Sequence, residues 1–308
     1  MTQGNLALAA MIPALKYRAG VLASVRRYCD SCGYCEVETP VGIIAPAAEE
    51  YIESPAAGNF FLRSSPELQM KRLLCVGMER MYQLGPCFRA NENGRLHRSE
   101  FTMLEWYTAH TTYLDALDFT AGLVRTAAHD LNGSGVIQYC GNTIDLDADW
   151  EIIPVREAFQ KFSGLNADAL AEKESEFEIV LTEKVEPNLP KDRPCVLIDY
   201  PIRFGAFARP KPTDPTLAER WEVYIGGVEL ANTYGELTDA VVQKERFRKF
   251  AETRRKNGLH EYPEPVEFLD AISSGMPDAS GGALGFDRLV MLLYGADSLA
   301  EVSFPLDS

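Results

Sequence analysis

Three cysteines form one group of potential metal ligands, because Cys29, Cys32 and Cys35 follow a C-x-x-C-x-x-C spacing. Such a spacing can bind zinc or an iron–sulfur cluster when the sulfur atoms point to one centre. Here the first two cysteines lie near the end of a predicted helix that Gly33 stops, whereas the third begins a predicted strand. Their directions need not converge and no fourth ligand is nearby, so we expect reduced thiols rather than a metal site.

A second group of reactive residues is acidic. Glu222 and Glu229 stand seven residues apart on a predicted strand, turn and strand, which can bring both carboxylates to one point. The sequence contains neither a Gly-rich Walker loop nor the G-x-G-x-x-G fingerprint of dinucleotide-binding folds. If the chain binds ATP, a different arrangement of residues must therefore hold the phosphates.

The composition is typical of a soluble globular protein, with 46% hydrophobic and 24% charged residues among 308. No apolar run reaches the roughly 20 residues of a membrane-spanning helix, and no basic region precedes the apolar N-terminus as in a signal peptide. We therefore expect a cytoplasmic protein without a membrane partner. The formal net charge of −15 argues against nucleic-acid binding, since phosphate contacts usually need a basic surface.

Hydrophobic periodicity and breaker residues divide the chain into elements. The predicted helices cover residues 15–32, 67–76, 113–131, 154–162, 239–257 and 286–294. The predicted strands cover residues 35–38, 80–84, 87–90, 101–107, 137–140, 144–146, 196–199, 221–225, 228–231 and 282–285. Gly85-Pro86 is expected to separate the strand at residues 80–84 from the strand at residues 87–90. Strands in consecutive runs, with helices grouped at the ends, predict an α+β fold around an antiparallel sheet.

Three segments could hold the phosphates in place of a Gly-rich loop. They are residues 33–40 (G-Y-C-E-V-E-T-P), 87–107 (C-F-R-A-N-E-N-G-R-L-H-R-S-E-F-T-M-L-E-W-Y) and 282–289 (G-A-L-G-F-D-R-L). They resemble, in the same order, motifs 1, 2 and 3 of the class II aminoacyl-tRNA synthetases. The corresponding motifs cover about residues 15–40, 86–107 and 282–294.

The lysyl-tRNA synthetases are the branch that the chain resembles most. E-F-T-M-L-E-W-Y after F-R is close to their form of motif 2, and residues 222–236 (E-V-Y-I-G-G-V-E-L-A-N-T-Y-G-E) are also similar to theirs. The resemblance implies one catalytic domain over residues 1–308, built as an antiparallel β-sheet flanked by helices.

Activation of a carboxylate by ATP brings two anions together, and their charge must be neutralised in the transition state. The resemblance implies that Arg89 lies between the substrate carboxylate and the α-phosphate, where its planar guanidinium can hold both oxyanions. It also implies that Arg288 clamps the γ-phosphate and that Glu222 and Glu229 ligate Mg²⁺. We therefore expect ATP and Mg²⁺ as cofactors, with Arg89 and Arg288 catalytic. Further ATP contacts are implied at Asn91, Arg95, His97, Glu229, Leu230 and Gly285.

The same resemblance assigns the amino-acid pocket. It places Glu67 at the amino group near the reacting carboxylate and Asn232 at the carboxylate itself, with Glu105, Tyr107 and Glu236 around the distal end. Carboxylates in a closed pocket need a buried cation to offset their desolvation, and a lysine-type ammonium supplies one. A neutral substrate would leave Glu236 uncompensated. The alternative for Glu105 and Tyr107 is that they are merely alternating strand positions. The remaining implied substrate contacts are Ser65 and Ala283.

Two departures from the family pattern affect these assignments. Motif 2 normally carries Glu two places after its Arg, where it reads the adenine amino group, but here that place is Asn91, followed by Glu92. An amide oxygen can still accept the hydrogen bond, so adenine reading is weakened rather than excluded. The usual Asn-Pro before Glu-Phe is replaced by Arg98-Ser99, and no ATP contact is inferred there.

The position of motif 1 separates two branches of the family. Lysyl-tRNA synthetases carry an anticodon-binding β-barrel before motif 1, whereas here the motif 1 helix is predicted to begin near Leu15, so we expect no anticodon-binding domain. This form resembles the bacterial elongation factor P–(R)-β-lysine ligases. Ala283 favours them as well, because they have Ala where the synthetases have Gly. One methyl group discriminates by only about 1–3 kcal/mol, and Ala is common, so this is supporting evidence.

The resemblance implies activation of (R)-β-lysine or lysine as an adenylate and transfer to a lysine of elongation factor P. It also implies a homodimer through residues 17–40, and tRNA is not expected as a partner. Two alternatives remain open. One is an enzyme that charges tRNA or another acceptor, and the other is a catalytically silent paralogue that serves as a binding or regulatory module. The intact motif residues, Arg89, Arg288, Glu222 and Glu229, argue against the second.

Overall fold

The computed structural model describes residues 3–47 and 49–305. The α-helices of this part are α1 Gln3–Ser31, α2 Glu67–Cys75, α3 Asp115–Asn132, α4 Val155–Ser163, α5 Ala167–Ala171, α6 Glu174–Val180, α7 Ala240–Lys256, α8 Val266–Ser273 and α9 Phe286–Tyr294. The strands are β1 Cys35–Glu36, β2 Gly42–Ile43, β3 Ala56–Ala57, β4 Phe60–Leu62, β5 Arg80–Phe88, β6 Glu100–Ala109, β7 Val136–Tyr139, β8 Asn142–Asp145, β9 Glu151–Pro154, β10 Cys195–Ile198, β11 Pro210–Lys211, β12 Asp214–Ala218, β13 Arg220–Ile225, β14 Val228–Gly235 and β15 Ala279–Gly285. Short helical turns follow at Leu181–Val185, Glu186–Asn188, Ile202–Phe204 and Leu299–Glu301.

One sheet of eight strands forms the centre of the fold, in the order β1-β5-β6-β15-β14-β13-β10-β9. Its inner pairings are antiparallel, and only the two edge strands, β1 and β9, pair in parallel with their neighbours. Sequence analysis predicted this α+β class, and the structure confirms it.

Strand alternation sends residues of β6 to opposite faces of the sheet. Leu104 and Trp106 point into the larger core, where α1, α3 and α9 cover one face. Tyr107 points to the other face, where a second core forms with α2, α7 and α8 and a third with α4 and α6. The space between the second and third cores is the position of the cavity described below.

The predicted break at Gly85-Pro86 is wrong, because β5 is continuous from Arg80 to Phe88. Pro86 lies opposite Thr102 of β6, but its carbonyl points to the outer edge and accepts a hydrogen bond from Arg63 Nε at 3.0 Å. Backbone N and C=O of one strand residue face the same side, so the missing N–H of Pro86 costs no bond of the β5–β6 ladder.

The prediction that helices are grouped at the ends of the chain is wrong. Helices α4, α5 and α6 come from the middle of the chain and form a core beside the sheet. Sequence analysis missed α5 and α6, because helices of five and seven residues contain too few turns for a clear period. The predicted hairpin of β7 and β8 is confirmed. Its turn residues are Cys140 and Gly141, both with positive φ.

The first helix begins earlier than predicted, at Gln3, and it has an unexpected composition. Its segment Leu8–Ser31 is long and apolar enough to cross a membrane by length and composition alone, although only 22% of the apolar stretch is buried within the chain. Lys16 and Arg18 interrupt its apolar residues, so no long uninterrupted apolar run marks it in the sequence. Val21 and Val25 of this helix are buried in the core.

Candidate functional site

A cavity of about 500 Å³ lies on the face of the sheet opposite α1, α3 and α9. Side chains of β6, β15, β14 and β13 form its floor, and residues from α2, the segment after β5 and the start of α9 form its walls. Every residue predicted to bind ATP, substrate or metal lines this cavity except Arg95. Residues far apart in sequence are therefore brought together in one cavity.

Strand register aligns the predicted substrate residues across the floor. Ala283 of β15 lies opposite Asn232 of β14 on one side and Glu105 of β6 on the other. Directly opposed residues in a sheet point to the same face. The methyl group of Ala283 therefore stands between the amide of Asn232 and the carboxylate of Glu105, on the floor of the cavity.

Gly281 makes room for the next row of side chains. It lies opposite Tyr107 and Tyr234. A Cβ atom at Gly281 would lie 2.3 Å from the Tyr107 ring and 2.5 Å from Glu236 Oε1. No side chain fits there without moving both groups, so glycine is what allows the phenol and the carboxylate to meet above this strand.

Buried acidic residues dominate one end of the cavity. Glu105 accepts hydrogen bonds from Tyr107 Oη at 2.6 Å and from Ser65 Oγ at 2.9 Å. Glu67 and Glu236 line the same end and are also buried. We refer to Glu67, Glu105 and Glu236 as the carboxylate end of the cavity.

An internal cation changes the predicted electrostatics of this end. Lys71 is buried and forms ion pairs with Glu67 and with Glu236 Oε2, the latter at 2.5 Å. The expectation that Glu236 would be uncompensated without a substrate ammonium is therefore wrong. One lysine nevertheless balances only one of the two carboxylates that it contacts.

The pKa values reflect this crowding. Burial and then the nearby carboxylate of Glu67 raise the pKa of Glu105 to about 8. Burial also raises the pKa of Glu236 to about 7, against the opposing effect of Lys71. Burial lowers the pKa of Lys71, but the carboxylates of Glu236 and Glu67 outweigh it, so the pKa is raised and the ammonium stays charged.

Cationic residues define the opposite end. The guanidinium of Arg89 lies 5.2 Å from the centre of the Phe101 ring, and its Nε is buried without a hydrogen-bond acceptor among the described residues. Arg89 also makes no ion pair within the described part of the chain. A buried donor without an acceptor is costly, and an oxyanion in the cavity would satisfy it. We refer to Arg89 and Arg288 as the cationic end.

Arg288 is held by contacts at the start of α9. Its Nη1 donates to the backbone oxygen of Glu229 at 2.7 Å and lies 3.2 Å from the Glu229 carboxylate, while Nη2 lies 2.8 Å from His97 Nε2. Burial and then the charge of Arg288 lower the pKa of His97, which favours the neutral imidazole. The neighbouring Asp287 accepts from the backbone N of Thr102 at 2.8 Å and pairs with Arg18, which fixes the start of the helix.

The predicted metal ligands, Glu222 and Glu229, both line the cavity. Glu222 accepts from Tyr200 Oη at 2.6 Å and from Tyr224 Oη at 2.8 Å, and it pairs with Arg220 at 2.5 Å. Glu229 is partly exposed. Two carboxylates that face one cavity suit Mg²⁺, an ion that usually takes one or two carboxylates together with phosphate oxygens. The donor set therefore fits this ion.

The remaining predicted ATP residues divide into two groups. Asn91, Leu230 and Gly285 line the cavity, and Asn91 has a φ of 64°, a left-handed conformation that asparagine adopts more readily than glutamate. Arg95 does not line it. Its Nη1 donates to Tyr139 Oη and to the backbone oxygen of Asp297, both at 2.9 Å. These two contacts hold the guanidinium away from the cavity.

Sequence reasoning missed several residues of the site, among them Lys71, which lies behind the cavity lining, and the lining residues Arg220 and Gly281. Lys71 follows Glu67 by four places on a predicted helix, a spacing that indicates contact, and this signal could have been used. Arg220 alternates with Glu222 along β13 and donates to Asn232 Oδ1 at 3.3 Å. No local pattern marks Gly281, since its role depends on side chains from two other segments.

The cysteine group shows no convergence. Cys29 is buried, Cys32 is half-buried and Cys35 is exposed, and all three are free thiols. Across residues 3–47 and 49–305, no group of three or more His, Cys, Asp or Glu side chains is arranged to hold a metal ion.

Comparison with known proteins identifies a family and several relatives of this chain. Residues 6–308 match the family described as tRNA synthetases class II (D, K and N). The chain is 38% identical to the elongation factor P–(R)-β-lysine ligase of Salmonella gallinarum, covering 97% of this chain and 96% of the relative. It is 36% identical to the ligase of the same name from Yersinia enterocolitica, over 96% of both. It is 35% identical to the lysine–tRNA ligase of Pelotomaculum thermopropionicum, but covers only 62% of that protein.

Proposed function

This chain belongs to the class II tRNA synthetases (D, K and N) and is a ligase of that type, and from this premise we propose its reaction. It activates (R)-β-lysine, or lysine, with ATP and transfers the aminoacyl group to a lysine of elongation factor P. The observation that carries the proposal is the charge separation along one cavity. Arg89 and Arg288 stand at one end, and Glu67, Glu105 and Glu236 stand at the other.

In the first step, a carboxylate oxygen of the amino acid attacks the α-phosphorus of ATP. The bond from that phosphorus to the oxygen bridging to the β-phosphate breaks, pyrophosphate leaves, and an aminoacyl-adenylate forms. Arg89 can hold both oxyanions as they approach, because its buried Nε has no acceptor within the described chain. Preorganised donors of this kind stabilise the charge that develops in the transition state.

Glu222 and Glu229 would hold Mg²⁺ beside the triphosphate, with Arg288 near the γ-phosphate. The ion would neutralise phosphate charge when bound. Tyr200, Tyr224 and Arg220 hold the Glu222 carboxylate in one orientation. Neutral His97 can fix the guanidinium of Arg288 without adding a second positive charge.

In the second step, the neutral ε-amine of a protein lysine attacks the carbonyl carbon of the adenylate. The carbon–oxygen bond to AMP breaks, AMP leaves, and the nitrogen loses a proton to give an amide. Water would compete with the amine for this reactive carbonyl, so a closed carboxylate end favours transfer over hydrolysis.

The carboxylate end supports a diamino acid as the substrate. Glu67 would bind the amino group near the reacting carboxylate, and Glu105, Tyr107 and Glu236 would surround the distal ammonium. Ala283 lies between Asn232 and Glu105, where an added methyl group can disfavour an α-amino group and suit one displaced by a carbon atom.

Charging of tRNA is the second candidate, and it is favoured by the 35% identity to a lysine–tRNA ligase. The chain spans 62% of that relative but 96% of the elongation factor P ligases. The net charge of −15 also opposes RNA binding. The charge favours elongation factor P as the acceptor.

We also propose a cytoplasmic homodimer with residues 17–40 at its two-fold interface. α1 contributes the first half of this segment, and apolar side chains in the earlier turns of the same helix are exposed in the single chain, Leu6 by 54% and Ile12 by 48%. Burial of such residues against a second copy would be favourable. Light scattering at micromolar concentration should give a dimer mass, and a monomer mass would contradict this proposal.

Pyrophosphate exchange tests the proposed activation step. The enzyme, ATP and Mg²⁺ are combined with a panel of amino acids that includes (R)-β-lysine, α-lysine, ornithine and norleucine. We expect exchange with the diamino acids and none with norleucine, because norleucine lacks the distal ammonium. Exchange that requires none of the diamino acids would contradict the proposal, and efficient aminoacylation of tRNA in a second assay would favour the alternative.

A further inference from the structure

Lys71 is a charged side chain that neither proposed step of the reaction uses. It lies on α2, four residues after Glu67, and its side chain is only 1% exposed. Its ammonium contacts the carboxylates of Glu67 and Glu236 and lies 5.2 Å from the Phe207 ring and 5.7 Å from the Tyr107 ring. Aromatic faces and carboxylates thus surround a buried cation.

Burial of this ion pair is unfavourable unless its geometry is well satisfied. Removal of one partner would leave an uncompensated buried charge. Lys71 joins two separate segments, since Glu67 begins α2 and Glu236 follows β14. The ammonium pairs with Glu236 Oε2, and Oε1 lies above Gly281. Beyond this ion pair, neither buried oxygen has a hydrogen-bond donor among the described residues. Lys71 therefore holds one oxygen of Glu236 and leaves the other without a donor.

We propose that Lys71 is a positioning residue that fixes how many positive charges the amino-acid pocket accepts. This inference rests on the proposed function. The carboxylate end contains three carboxylates, Glu67, Glu105 and Glu236, and a single internal ammonium. Glu49 lines the same cavity, but the charge that acts on it most strongly is that of Arg89. Two further positive charges complete the balance, which is the number that a diamino acid carries. A substrate with one ammonium leaves one carboxylate unpaired or protonated.

Glu105 is the carboxylate of this end that no ammonium contacts among the described residues. Within residues 3–47 and 49–305, its oxygens accept hydrogen bonds from the hydroxyls of Ser65 and Tyr107 alone. The charged and titratable groups around it are Glu67 and Lys71 on α2, Tyr107 on its own strand, Cys87 on β5, and Glu236. Because its pKa is raised to about 8 by burial and then by Glu67, Glu105 is mostly protonated at pH 7. A bound ammonium favours its ionised form, so binding of a diamino acid should release a proton.

The first test compares Lys71→Met with Arg72→Met, a matched control on the same helix. Arg72 is 42% exposed and pairs with Glu267 away from the cavity. Pyrophosphate exchange by the unmodified enzyme is measured beforehand, and its absence would count against the proposed function itself. We expect Lys71→Met to raise the KM for the diamino acid by roughly tenfold or more. The KM for ATP should change by less than about twofold, and Arg72→Met should resemble the unmodified enzyme.

A purely structural role for Lys71 predicts a different outcome. Loss of packing would raise both KM values together or lower kcat for every substrate. An unchanged KM for the diamino acid, or an equal rise in the KM for ATP, would overturn the inference while leaving the proposed function intact.

A second measurement uses the unmodified enzyme in case Lys71→Met does not fold. Calorimetric titration with the diamino acid at pH 7, in buffers of different ionisation enthalpy, gives the number of protons released on binding. We expect between about one and two protons per site, because Glu105 and the protonated fraction of Glu236, whose pKa is about 7, must ionise to complete the balance of three carboxylates with three ammonium groups. Tight binding without proton release would show that the charge balance is wrong and would overturn the inference.

Discussion

The two ends of the cavity are constructed in different ways. At the cationic end, Arg89 follows β5 and Arg288 lies in the first turn of α9, and both are partly exposed. Arg288 is held by His97 and Glu229, whereas Arg89 keeps its buried Nε without an acceptor among the described residues. At the carboxylate end, the side chains stand on β6, at the end of β14 and on α2, and both Lys71 and Glu236 are 1% exposed. The cationic end thus has an unsatisfied donor, whereas the carboxylate end is already partly neutralised.

This difference separates two tasks. Free donors at the cationic end suit a group whose charge increases during the reaction, because their stabilisation is greatest in the transition state. A rigid, partly compensated carboxylate end suits recognition of a group that does not react. Changes at the cationic end should therefore mainly lower the rate, and changes at the carboxylate end should mainly alter which amino acid binds.

The largest effect is expected from Arg89→Ala. We expect pyrophosphate exchange to fall by roughly 10²–10³-fold or more, because the substitution removes a donor that stabilises transition-state charge. The melting temperature should stay close to that of the unmodified protein, since Arg89 forms no ion pair within the described residues. The control is Arg80→Ala, which removes an exposed arginine from the start of β5, the strand that Arg89 follows. Exchange at the unmodified rate in Arg89→Ala would remove the cationic end from the reaction.

A smaller effect of a different kind is expected from Glu236→Gln. It should raise the KM for the diamino acid by roughly 10- to 100-fold, the scale for loss of a charge-assisted hydrogen bond, with little change in the KM for ATP. Steady-state exchange kinetics with each substrate varied in turn would measure both constants. Glu267→Gln is the control, because Glu267 is an exposed carboxylate outside the cavity. If the KM for the diamino acid does not change, Glu236 has no part in its recognition.

The smallest effect is expected from Ala283→Gly, which removes the methyl group that lies between Asn232 and Glu105 on the floor of the cavity. The preference for (R)-β-lysine over α-lysine should fall by roughly tenfold, the scale on which one methyl group discriminates between substrates. The ratio of kcat/KM values for the two amino acids measures this preference. An unchanged ratio would mean that Ala283 does not select the position of the amino group.

The sequence was sufficient for the elements that follow local rules. Alternation along β6 and the resemblance of the motifs predicted Glu105 and Tyr107 on one face, and helix α9 has the predicted bounds. The placement of Arg95 could not be predicted, because its partners Tyr139 and Asp297 come from a hairpin and from the segment after α9. The ion pair of Lys71 with Glu236 likewise depends on the position of α2 over β14, which no local pattern specifies.

Pro86 illustrates the same limit for the fold. Gly-Pro is ordinarily a breaker signal, yet here the buried guanidinium of Arg63 supplies a hydrogen-bond donor at the open edge of β5. The long-range contact overrides the local preference. Local patterns thus predicted which residues line the cavity. They did not predict which of those residues form hydrogen bonds and ion pairs with each other.

The central claim is that the cavity joins a diamino acid to a protein. Its most direct test combines the purified enzyme with ATP, Mg²⁺, (R)-β-lysine and elongation factor P, followed by intact-mass measurement of elongation factor P. We predict a gain of one β-lysyl group, little gain with α-lysine, and none when the acceptor lysine of elongation factor P is replaced by arginine. Elongation factor P of unchanged mass, under conditions in which the same enzyme efficiently lysylates tRNA, would contradict the account.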